Sequence, residues 1–466
     1  MSRLREIERQ RFDLVIIGGG IIGCGIARDA ALRGLGVALV EQRDFGSGTT
    51  ANSTRIVHGG LRYLEMLDFR LVRLDLRERE TLLRIAPHLV APLEFAIPFL
   101  AGAPLSRIKI RAGLALYDAL SYDKSLPSHR MLNAAGARAL DRALDRDDVR
   151  GAATYFDARV DLPERLALEN ALDAERHGAA ILNYCEATST LMQDGVAAGI
   201  RVRDAIAGQD GEIRGRVVVN ATGAWLADGI RTTKGVHIVC PPVTDRALVI
   251  FSAVDRRLMF AIPRAGQTWI GTTDTDYDGD PAAARATRAD VDYLLASVRH
   301  VFPQLGIDDV LYTTAGVRAL VMQGGSASSV SRMHKVVEDA PERGVVSVLG
   351  GKITGYRAIA EDVTEVVCRR LGCRAPCTTA YTQLPAPPQH GDLAAHAAYA
   401  IEHEHSVHLS DFMRRRTALG ASADQGWSRA AELAAVMAAR IGWTRERTSD
   451  EIDDYRRDIE STRAFR

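Results

Sequence analysis

The chain has 466 residues, of which 47% are hydrophobic and 25% are charged, and its 59 basic residues balance 59 acidic ones. These proportions are those of a globular protein, so a disordered, collagen-like or coiled-coil chain is excluded. The zero net charge gives no indication of a nucleic-acid-binding protein, and we expect no nucleic-acid partner. At roughly 100–200 residues per domain, the length predicts about two to four domains.

The sequence contains no apolar run near the roughly 18–20 residues that span a bilayer. Its first residues, Met1 to Arg11, are charged and lack the apolar core of a secretion signal. The cysteines are scattered and form no Cys-x-x-Cys pair. We therefore expect reduced thiols, no metal site and a cytoplasmic location.

The first predicted element is a buried strand over residues 12–17, followed by a glycine-rich turn, a helix and a strand over 37–40. The turn contains Gly18-x-Gly20-x-x-Gly23, and Glu41 ends the second strand. In such a unit the glycines admit a pyrophosphate to the helix N-terminus, and the acidic residue accepts the ribose hydroxyls. The motif does not distinguish NAD from FAD, but its position ahead of the rest of the chain favours FAD.

Two later segments also join a buried strand to a turn of small residues. A strand over 217–219 leads into Asn220-Ala221-Thr222-Gly223, and a strand over 345–349 leads into Gly350-Gly351 and then a helix. Backbone N–H groups at such a helix start can face an anionic flavin. We predict one cofactor site built from Gly18, Gly20, Gly23, Glu41, Ser53, Ala221, Thr222, Gly223, Gly350, Gly351, Lys352, Ile353 and Thr354.

The remaining sequence predicts further helices and an antiparallel sheet. A long helix is expected over 68–89, and the alternation over 235–271 predicts antiparallel strands. Thr287 and Asp290 form a capping box before another helix, and residues 390–466 are predicted to be helical after a proline-rich linker.

The predicted fold class is α/β, and α+β overall. It combines a Rossmann-like FAD-binding domain with an antiparallel-sheet substrate domain and a small C-terminal helical domain. The predicted boundaries are 1–105, 150–234 and 335–376 for the first, 106–149 and 235–334 for the second, and 390–466 for the third.

Several basic residues lie near glycines or predicted strand ends in the sequence. A fork of guanidinium groups with one ammonium suits a small phosphate or carboxylate, although arginine is also this chain's usual surface cation. His237 is either a base or a buried core histidine. The spacing of His403, His405 and His408 is poor for a metal and is typical of a solvated face. The candidate substrate-binding cations are Arg62, Arg318, Arg332 and Lys352.

The motifs resemble those of the FAD-dependent glycerol-3-phosphate dehydrogenases of the D-amino-acid-oxidase-like flavoenzyme superfamily. The resemblance covers nearly the whole chain, and its most specific run is HGGLRYLE, followed by GGKITGYR. The other matching pieces are IIGGGIIGCGIARDAALRGLGVALVE, YDALS, NATGAW, KGVHIV, IGTTDTDYDGDP and AGVRAL. Departures from the family's usual residues occur at Val236, Ala319 and Gly355, and they leave the exact substrate open.

The resemblance implies non-covalent FAD and oxidation of sn-glycerol 3-phosphate to dihydroxyacetone phosphate, with the electrons passed to a membrane quinone. It also implies that Arg62, Tyr63, Arg332 and Lys352 bind the substrate. We predict that Arg318 stabilises the developing alkoxide and that His237 is the first candidate for the base, with His58 the second.

The expected partners are a quinone and the cytoplasmic face of a membrane. Residues 105–116 mix basic and apolar side chains as interfacial helices do, although an ordinary surface helix has the same pattern. A homodimer is left open. Three other functions also remain open: an amine or amino-acid oxidase, a glycerol-phosphate oxidase that uses oxygen, and a non-catalytic dinucleotide sensor.

Overall fold

The computed structural model of the chain describes residues 3–102, 106–226, 228–322 and 333–466. Its strands and helices form two sheets and a C-terminal helical region. The strands are β1 Arg11–Ile17, β2 Val37–Val40, β3 Ile56–Val57, β4 Val90–Leu100, β5 Arg130–Asn133, β6 Val149–Val160, β7 Ala180–Leu182, β8 Cys185–Gln193, β9 Val196–Asp204, β10 Gln209–Asn220, β11 Ile230–Cys240, β12 Ala247–Phe251, β13 Leu258–Arg264, β14 Gln267–Gly271, β15 Thr275–Asp276, β16 Tyr312–Val321, β17 Lys335–Glu338 and β18 Val345–Leu349.

The helices follow the same chain order. They are α1 Arg3–Ile7, α2 Ile21–Leu32, α3 Arg62–Glu65, α4 Phe69–Ile85, α5 Arg107–Leu120, α6 Ala134–Leu140, α7 Pro163–Arg176, α8 Arg288–Val298, α9 Tyr356–Leu371, α10 Leu393–His403, α11 Leu409–Asp411, α12 Trp427–Ile441 and α13 Arg445–Ser461. Within the described ranges, no helix is both long and apolar enough to cross a membrane.

The first sheet has the strand order β17-β18-β10-β1-β2-β7, and β18, β10, β1, β2 and β7 run parallel. Helices α2, α7 and α9 share the apolar core on one face. The β8–β9 hairpin and α1 cover the other face. Burial on both faces explains why β1 and β2 read as continuous apolar runs. The carboxyl ends of the parallel strands therefore meet at one edge, where ligands bind in open α/β sheets.

The second sheet is mainly antiparallel and has the order β15-β11-β14-β13-β12-β4-β6-β3. Successive side chains along its strands point to opposite faces and pack into two different hydrophobic cores. In β4, Phe95 and Ile97 pack with the residues of α4 and α5, whereas Ala96 packs with those of α8. This alternation is what a sheet covered on both faces by different helices requires.

The predicted fold class is confirmed, including the parallel sheet, the antiparallel sheet and the C-terminal helices. The capping box of Thr287 and Asp290 is present at the start of α8. Helix α4 is shorter than the predicted 68–89: Asp68 caps it, and it ends at Ile85, before the sequence reaches Pro87. Strands β4 and β6 belong to the second sheet, although the predicted division grouped both with the FAD-binding segments.

The C-terminal helices have a core of their own and dock on the second sheet. Leu433 and Met437 of α12 are buried with Phe412 and Tyr455. The Thr313 N–H of β16 donates to the Thr462 carbonyl at 2.9 Å. The docking surface therefore joins the helical region to strand β16, whose other end reaches the site described next.

Candidate active site

A cavity of about 570 Å³ opens at the carboxyl edge of the parallel sheet. The turns after β1, β2, β10 and β18 all contribute to its wall. All but one of the predicted cofactor residues line it, the exception being Gly23, which packs beneath the first turn. The lining residues of this set are Gly18, Gly20, Glu41, Ser53, Ala221, Thr222, Gly223, Gly350, Gly351, Lys352, Ile353 and Thr354.

The first turn is built for the close approach of a ligand. Gly18 has φ +103°, and a Cβ on Gly23 would lie 1.9 Å from the Gly18 carbonyl oxygen. Gly20 precedes α2 as its N-cap and supplies no side-chain hydrogen bond to the helix. Among the first-turn N–H groups of α2, that of Ile21 donates to the Thr50 hydroxyl at 3.1 Å. A helix N-terminus of this kind binds the phosphates of a dinucleotide.

Glu41 lies at the end of β2, beside the same turn. Its carboxylate accepts hydrogen bonds from the Gly19 N–H at 2.6 Å and from the Arg43 N–H at 3.0 Å. Burial raises the pKa of the Glu41 carboxyl, and the two backbone donors oppose that rise. A carboxylate held here can accept the ribose hydroxyls of a dinucleotide. The glycine turn, the N-terminus of α2 and this carboxylate together fit FAD.

Lys352 follows the turn formed by Gly350 and Gly351, and its side chain lines the cavity beside α4. Gly350 and Gly351 have φ +72° and +101°, which an L side chain rarely adopts. The Lys352 ammonium forms an ion pair with Asp75 of α4 and lies 4.4 Å from the centre of the Tyr63 ring. Burial raises the pKa of Asp75 to about 6, and Lys352 acts in the opposite direction. The pair holds a cation at the cavity wall.

His58 lines the cavity and is anchored through its backbone. Its N–H donates to the Thr354 hydroxyl at 3.1 Å, and its ring meets Phe260 edge to face at 6.1 Å. Burial, with a smaller contribution from Lys352, lowers the pKa of His58 to about 3. The imidazole is therefore neutral near pH 7 and can accept a proton.

His237 lies behind the cavity wall. Its side chain is buried, and among the residues that the structure describes it is not one of those that line the cavity. Nε2 lies 3.1 Å from the hydroxyl of Thr54, which does line the cavity, and Nδ1 lies 3.4 Å from that of Thr314. Burial, followed by Arg318 and Arg55, lowers the pKa of His237 to about 3. His237 thus reaches the cavity through Thr54.

Arg318 extends from β16 into the cavity and is held by the loop after β14. Its Nη2 donates to the Thr272 hydroxyl at 2.9 Å, and Nη1 donates to the Thr273 carbonyl at 3.2 Å and the Asp274 carboxylate at 3.1 Å. A Cβ on Gly235 of β11 would lie 2.1 Å from Nη2. The guanidinium can adopt this position because residue 235 has no side chain.

Sequence reasoning did not assign a role to three of these supporting residues. Thr272 and Asp274 lie in the motif IGTTDTDYDGDP. Asp75 lies in the helix predicted over 68–89, for which no site residue was predicted. The signal for the first two was present in the motif. Asp75 is 277 positions from Lys352, and no local pattern joins them.

The other predicted substrate residues have different positions. Tyr63 lines the cavity. Arg62 begins α3, but its side chain lies outside the described part of the structure, and Arg332 lies outside the described residues altogether. Of the departures from the family pattern, Ala319 lines the cavity, Gly355 precedes α9, and Val236 is buried in the core of the second sheet.

Comparison with known proteins matches the chain over almost its whole length. Residues 13–366 match the family described as FAD dependent oxidoreductase, and residues 320–448 match the C-terminal domain of alpha-glycerophosphate oxidase. A glycerol-3-phosphate dehydrogenase from Synechocystis is 36% identical over 98% of this chain and 97% of the relative.

Solved structures give the same result for the fold. The glycerol-3-phosphate dehydrogenase from Bacillus halodurans, complexed with FAD, superposes with a TM-score of 0.79 at 27% identity over 99% of this chain and 97% of that one. An L-alpha-glycerophosphate oxidase from Mycoplasma pneumoniae with FAD bound has a TM-score of 0.61 at 18% identity, covering 81% of this chain and all of that one, which speaks for the fold alone.

Proposed function

The chain belongs to the family of FAD-dependent glycerol-3-phosphate dehydrogenases, and from that premise we propose that it oxidises sn-glycerol 3-phosphate to dihydroxyacetone phosphate and passes the electrons to a membrane quinone. One observation carries the proposal. A cavity beside the dinucleotide turn brings together an ammonium, a guanidinium and a neutral imidazole, supplied by Lys352, Arg318 and His58. When bound, FAD accepts the hydride that leaves the substrate carbon.

The two cations have separate tasks in this proposal. Lys352, held by Asp75, attracts the phosphate of the substrate and so orients the carbon that is oxidised. Arg318, held by Thr272 and Asp274, stabilises the negative charge that develops on the substrate oxygen. Arg62, Tyr63 and Arg332 remain predicted substrate residues.

The hydroxyl proton needs an acceptor, and the geometry favours His58 over His237 for direct contact. His58 lines the cavity, whereas His237 reaches it through the Thr54 hydroxyl. Lys352 contributes to the low pKa of His58, so a phosphate dianion beside that ammonium raises the pKa toward neutrality. We therefore assign His58 as the acceptor and His237 as its alternative, acting through Thr54.

Glutamine substitution separates the two histidines. We expect His58→Gln to slow single-turnover flavin reduction by sn-glycerol 3-phosphate about 10²-fold, the usual scale of lost acid–base help. Because bound phosphate raises the pKa of His58, the wild-type rate at saturating substrate should fall as the pH drops through that raised pKa, and His58→Gln should lose this pH dependence. His403→Gln, on the exposed surface, serves as the control. A larger loss in His237→Gln than in His58→Gln would transfer the assignment to His237.

The cofactor is proposed to be held without a covalent bond. Backbone N–H donors and the Glu41 carboxylate bind by hydrogen bonding, and the family resemblance implies no covalent link through His58, which also lines the cavity. Acid precipitation of the purified protein should therefore release all of the yellow colour into the supernatant. Colour retained on the washed pellet would contradict this expectation.

The electron acceptor, which we propose to be a quinone, distinguishes this enzyme from an oxidase of the same fold that reduces oxygen. After anaerobic reduction by sn-glycerol 3-phosphate, we expect a soluble quinone analogue to reoxidise the flavin much faster than air-saturated buffer does. Rapid reoxidation in air with stoichiometric hydrogen peroxide would instead favour a glycerol-phosphate oxidase. Reduction by amino acids would favour an amine or amino-acid oxidase.

An exposed apolar and basic surface supports docking at a membrane. On α5, Ile108 is 81% exposed and Leu116 is 40% exposed, and the basic residues Arg107, Lys109 and Arg111 are exposed beside them. The neighbouring helix α4 contacts α5 and is preceded by Leu67, which is 72% exposed. A mixture of exposed apolar and basic residues is typical of helices that lie in the membrane interface.

Vesicle sedimentation tests this surface. At low salt, we expect the protein to sediment with vesicles containing an anionic lipid, and the double variant Ile108→Ser/Leu116→Ser to remain largely in the supernatant, because it loses the apolar contribution to binding. Val254→Ser, at another exposed apolar residue, is the control. Wild-type protein that stays in solution with these vesicles would exclude this docking surface.

A further inference from the structure

A second cavity, of about 580 Å³, lies where both sheets and the C-terminal helical region meet. Strands β13, β14 and β16 supply Arg264, Trp269 and Tyr312, and the helical region supplies Arg414. Arg55 lines this cavity and also the cofactor cavity. The second cavity is thus separate from the candidate active site but shares a wall with it.

Arg264 is a buried cation that forms no close ion pair among the described residues, although the carboxylates of Glu164 and Asp161 are near enough to raise its pKa. Its side chain packs over the Trp269 ring at 4.7 Å, and Nη2 donates to the Asp161 carbonyl at 2.6 Å. Nε and Nη1 have no hydrogen-bond partner in the described part of the chain. Burial, followed by Arg55, lowers the pKa of Arg264 to about 9. A buried, unpaired charge is costly unless something neutralises it.

Two further arginines at this cavity also have unused donors. Nε of Arg55, and Nε and Nη2 of Arg414, have no hydrogen-bond partner within the described ranges. The Arg414 Nε lies 3.9 Å from the Asp458 carboxylate, beyond hydrogen-bond distance. Burial raises the pKa of Tyr312 to about 12, and Arg264, Arg55 and Arg414 all oppose that rise. The three guanidiniums therefore act electrostatically on one phenol.

Five carboxylates line the cavity, and each already has a cation beside it; they are those of Asp44, Glu164, Glu451, Asp454 and Asp458. Asp44 bonds Arg416 at 2.6 Å, and Glu164 bonds Arg55 at 2.8 Å through a different nitrogen from the unused one. Glu451 accepts from the Leu409 N–H at 2.9 Å. The arginine atoms at this cavity that have no hydrogen-bond partner in the described part of the chain are all donors. The indole Nε1 of Trp269 adds one more donor without a partner in the described part.

We propose that this cavity is a binding site for a small molecule that carries one or more phosphoryl groups, recognised by Arg264 and Arg414. Guanidiniums match phosphoryl oxygens with paired hydrogen bonds, and those oxygens would accept from the Arg264 and Arg414 nitrogens that have no partner in the described part of the chain. Aromatic side chains also line the cavity, and its volume of about 580 Å³ lies within the usual range for ligand pockets. The ligand is either an inorganic phosphate or diphosphate, or a nucleotide.

Binding here has a path to the active site. Arg55 follows Thr54, whose hydroxyl contacts His237, and Arg55 also acts on the pKa of His237. A dianion beside Arg55 reduces that effect.

Titration calorimetry on the purified, FAD-containing protein tests the site, with pyrophosphate and ADP as probes. We expect saturable binding with one ligand per chain and at least a tenfold loss of affinity in Arg264→Gln and in Arg414→Gln. Lys352→Ala should leave this binding unchanged, because it removes a cation only from the active-site cavity. Arg201→Gln, an exposed surface change, is the control. Thermal unfolding and the flavin spectrum verify that each variant is folded.

The outcomes are distinct. Binding that depends on Arg264 or Arg414 and survives Lys352→Ala supports the site. Tighter binding of ADP than of pyrophosphate would then indicate a nucleotide, and equal binding would indicate recognition of the phosphoryl group alone. Binding that is lost in Lys352→Ala but kept in both arginine variants assigns the probes to the active site and overturns the proposal. No binding of either probe to the wild-type protein also overturns it. Because no substrate is turned over, these results do not depend on the proposed function.

Discussion

Replacing Gly23 with alanine should yield a protein that retains no FAD after purification. The added Cβ would lie 1.9 Å from the Gly18 carbonyl oxygen, so the first turn of α2 and the dinucleotide loop cannot keep their present separation. Backbone atoms cannot give way as a flexible side chain can, and the phosphate-binding N–H groups move with the turn. The measurement is the ratio of flavin absorbance to protein concentration.

Two further variants keep this prediction falsifiable. Gly113→Ala places a methyl group on α5, where nothing lies within 4 Å, and should keep full flavin content. Glu41→Ala creates no clash and should weaken FAD binding by removing the ribose acceptor. If Gly23→Ala is folded by circular dichroism and has wild-type flavin content, the glycine turn is not the pyrophosphate site.

Replacing Arg318 with alanine should slow flavin reduction by about 10²–10³-fold, the scale seen when one donor to a developing oxyanion is lost. Arg318 is the guanidinium that Thr272 and Asp274 hold in the cavity wall. Arg318→Lys should recover little of the rate, because an ammonium cannot reproduce the planar fork that these partners orient. The measurement is anaerobic single-turnover reduction by sn-glycerol 3-phosphate at saturating substrate, with flavin content checked for each variant.

The position of Arg318 can be tested without removing its charge. In Gly235→Ala the new Cβ would lie 2.1 Å from the Arg318 Nη2, so the guanidinium must leave its place and the rate should fall substantially. Gly391→Ala, with open space around the new methyl group, is the matched control. A wild-type rate in Arg318→Ala would remove this residue from the chemistry.

The sequence was sufficient for those parts of the fold that depend on local pattern. The apolar runs of β1, β2 and β18 and the glycines that follow them identified the parallel sheet and its ligand-binding edge. The capping box at Thr287 was also visible, because a cap is defined by residues three positions apart. Sheet membership was not visible: no strand was predicted at β4 or β6, and which strand each pairs with is a non-local property.

The same distinction applies to the site. The glycine turns and Arg318 lie in motifs, whereas the ion pair of Lys352 with Asp75 joins residues that are distant in the chain. Likewise, the sequence around His237 could not reveal that Thr54 separates its ring from the cavity. The second cavity depends on contacts among three parts of the chain, and no motif marks it.

We propose above all that sn-glycerol 3-phosphate is oxidised in the active-site cavity and that FAD is reduced there. The most direct measurement is the absorption spectrum of the purified yellow protein, recorded anaerobically before and after adding sn-glycerol 3-phosphate. The account predicts that the flavin bleaches fully with this compound and remains oxidised with glycerol or with amino acids. A flavin that stays oxidised with sn-glycerol 3-phosphate, in protein with full cofactor content, would contradict the account.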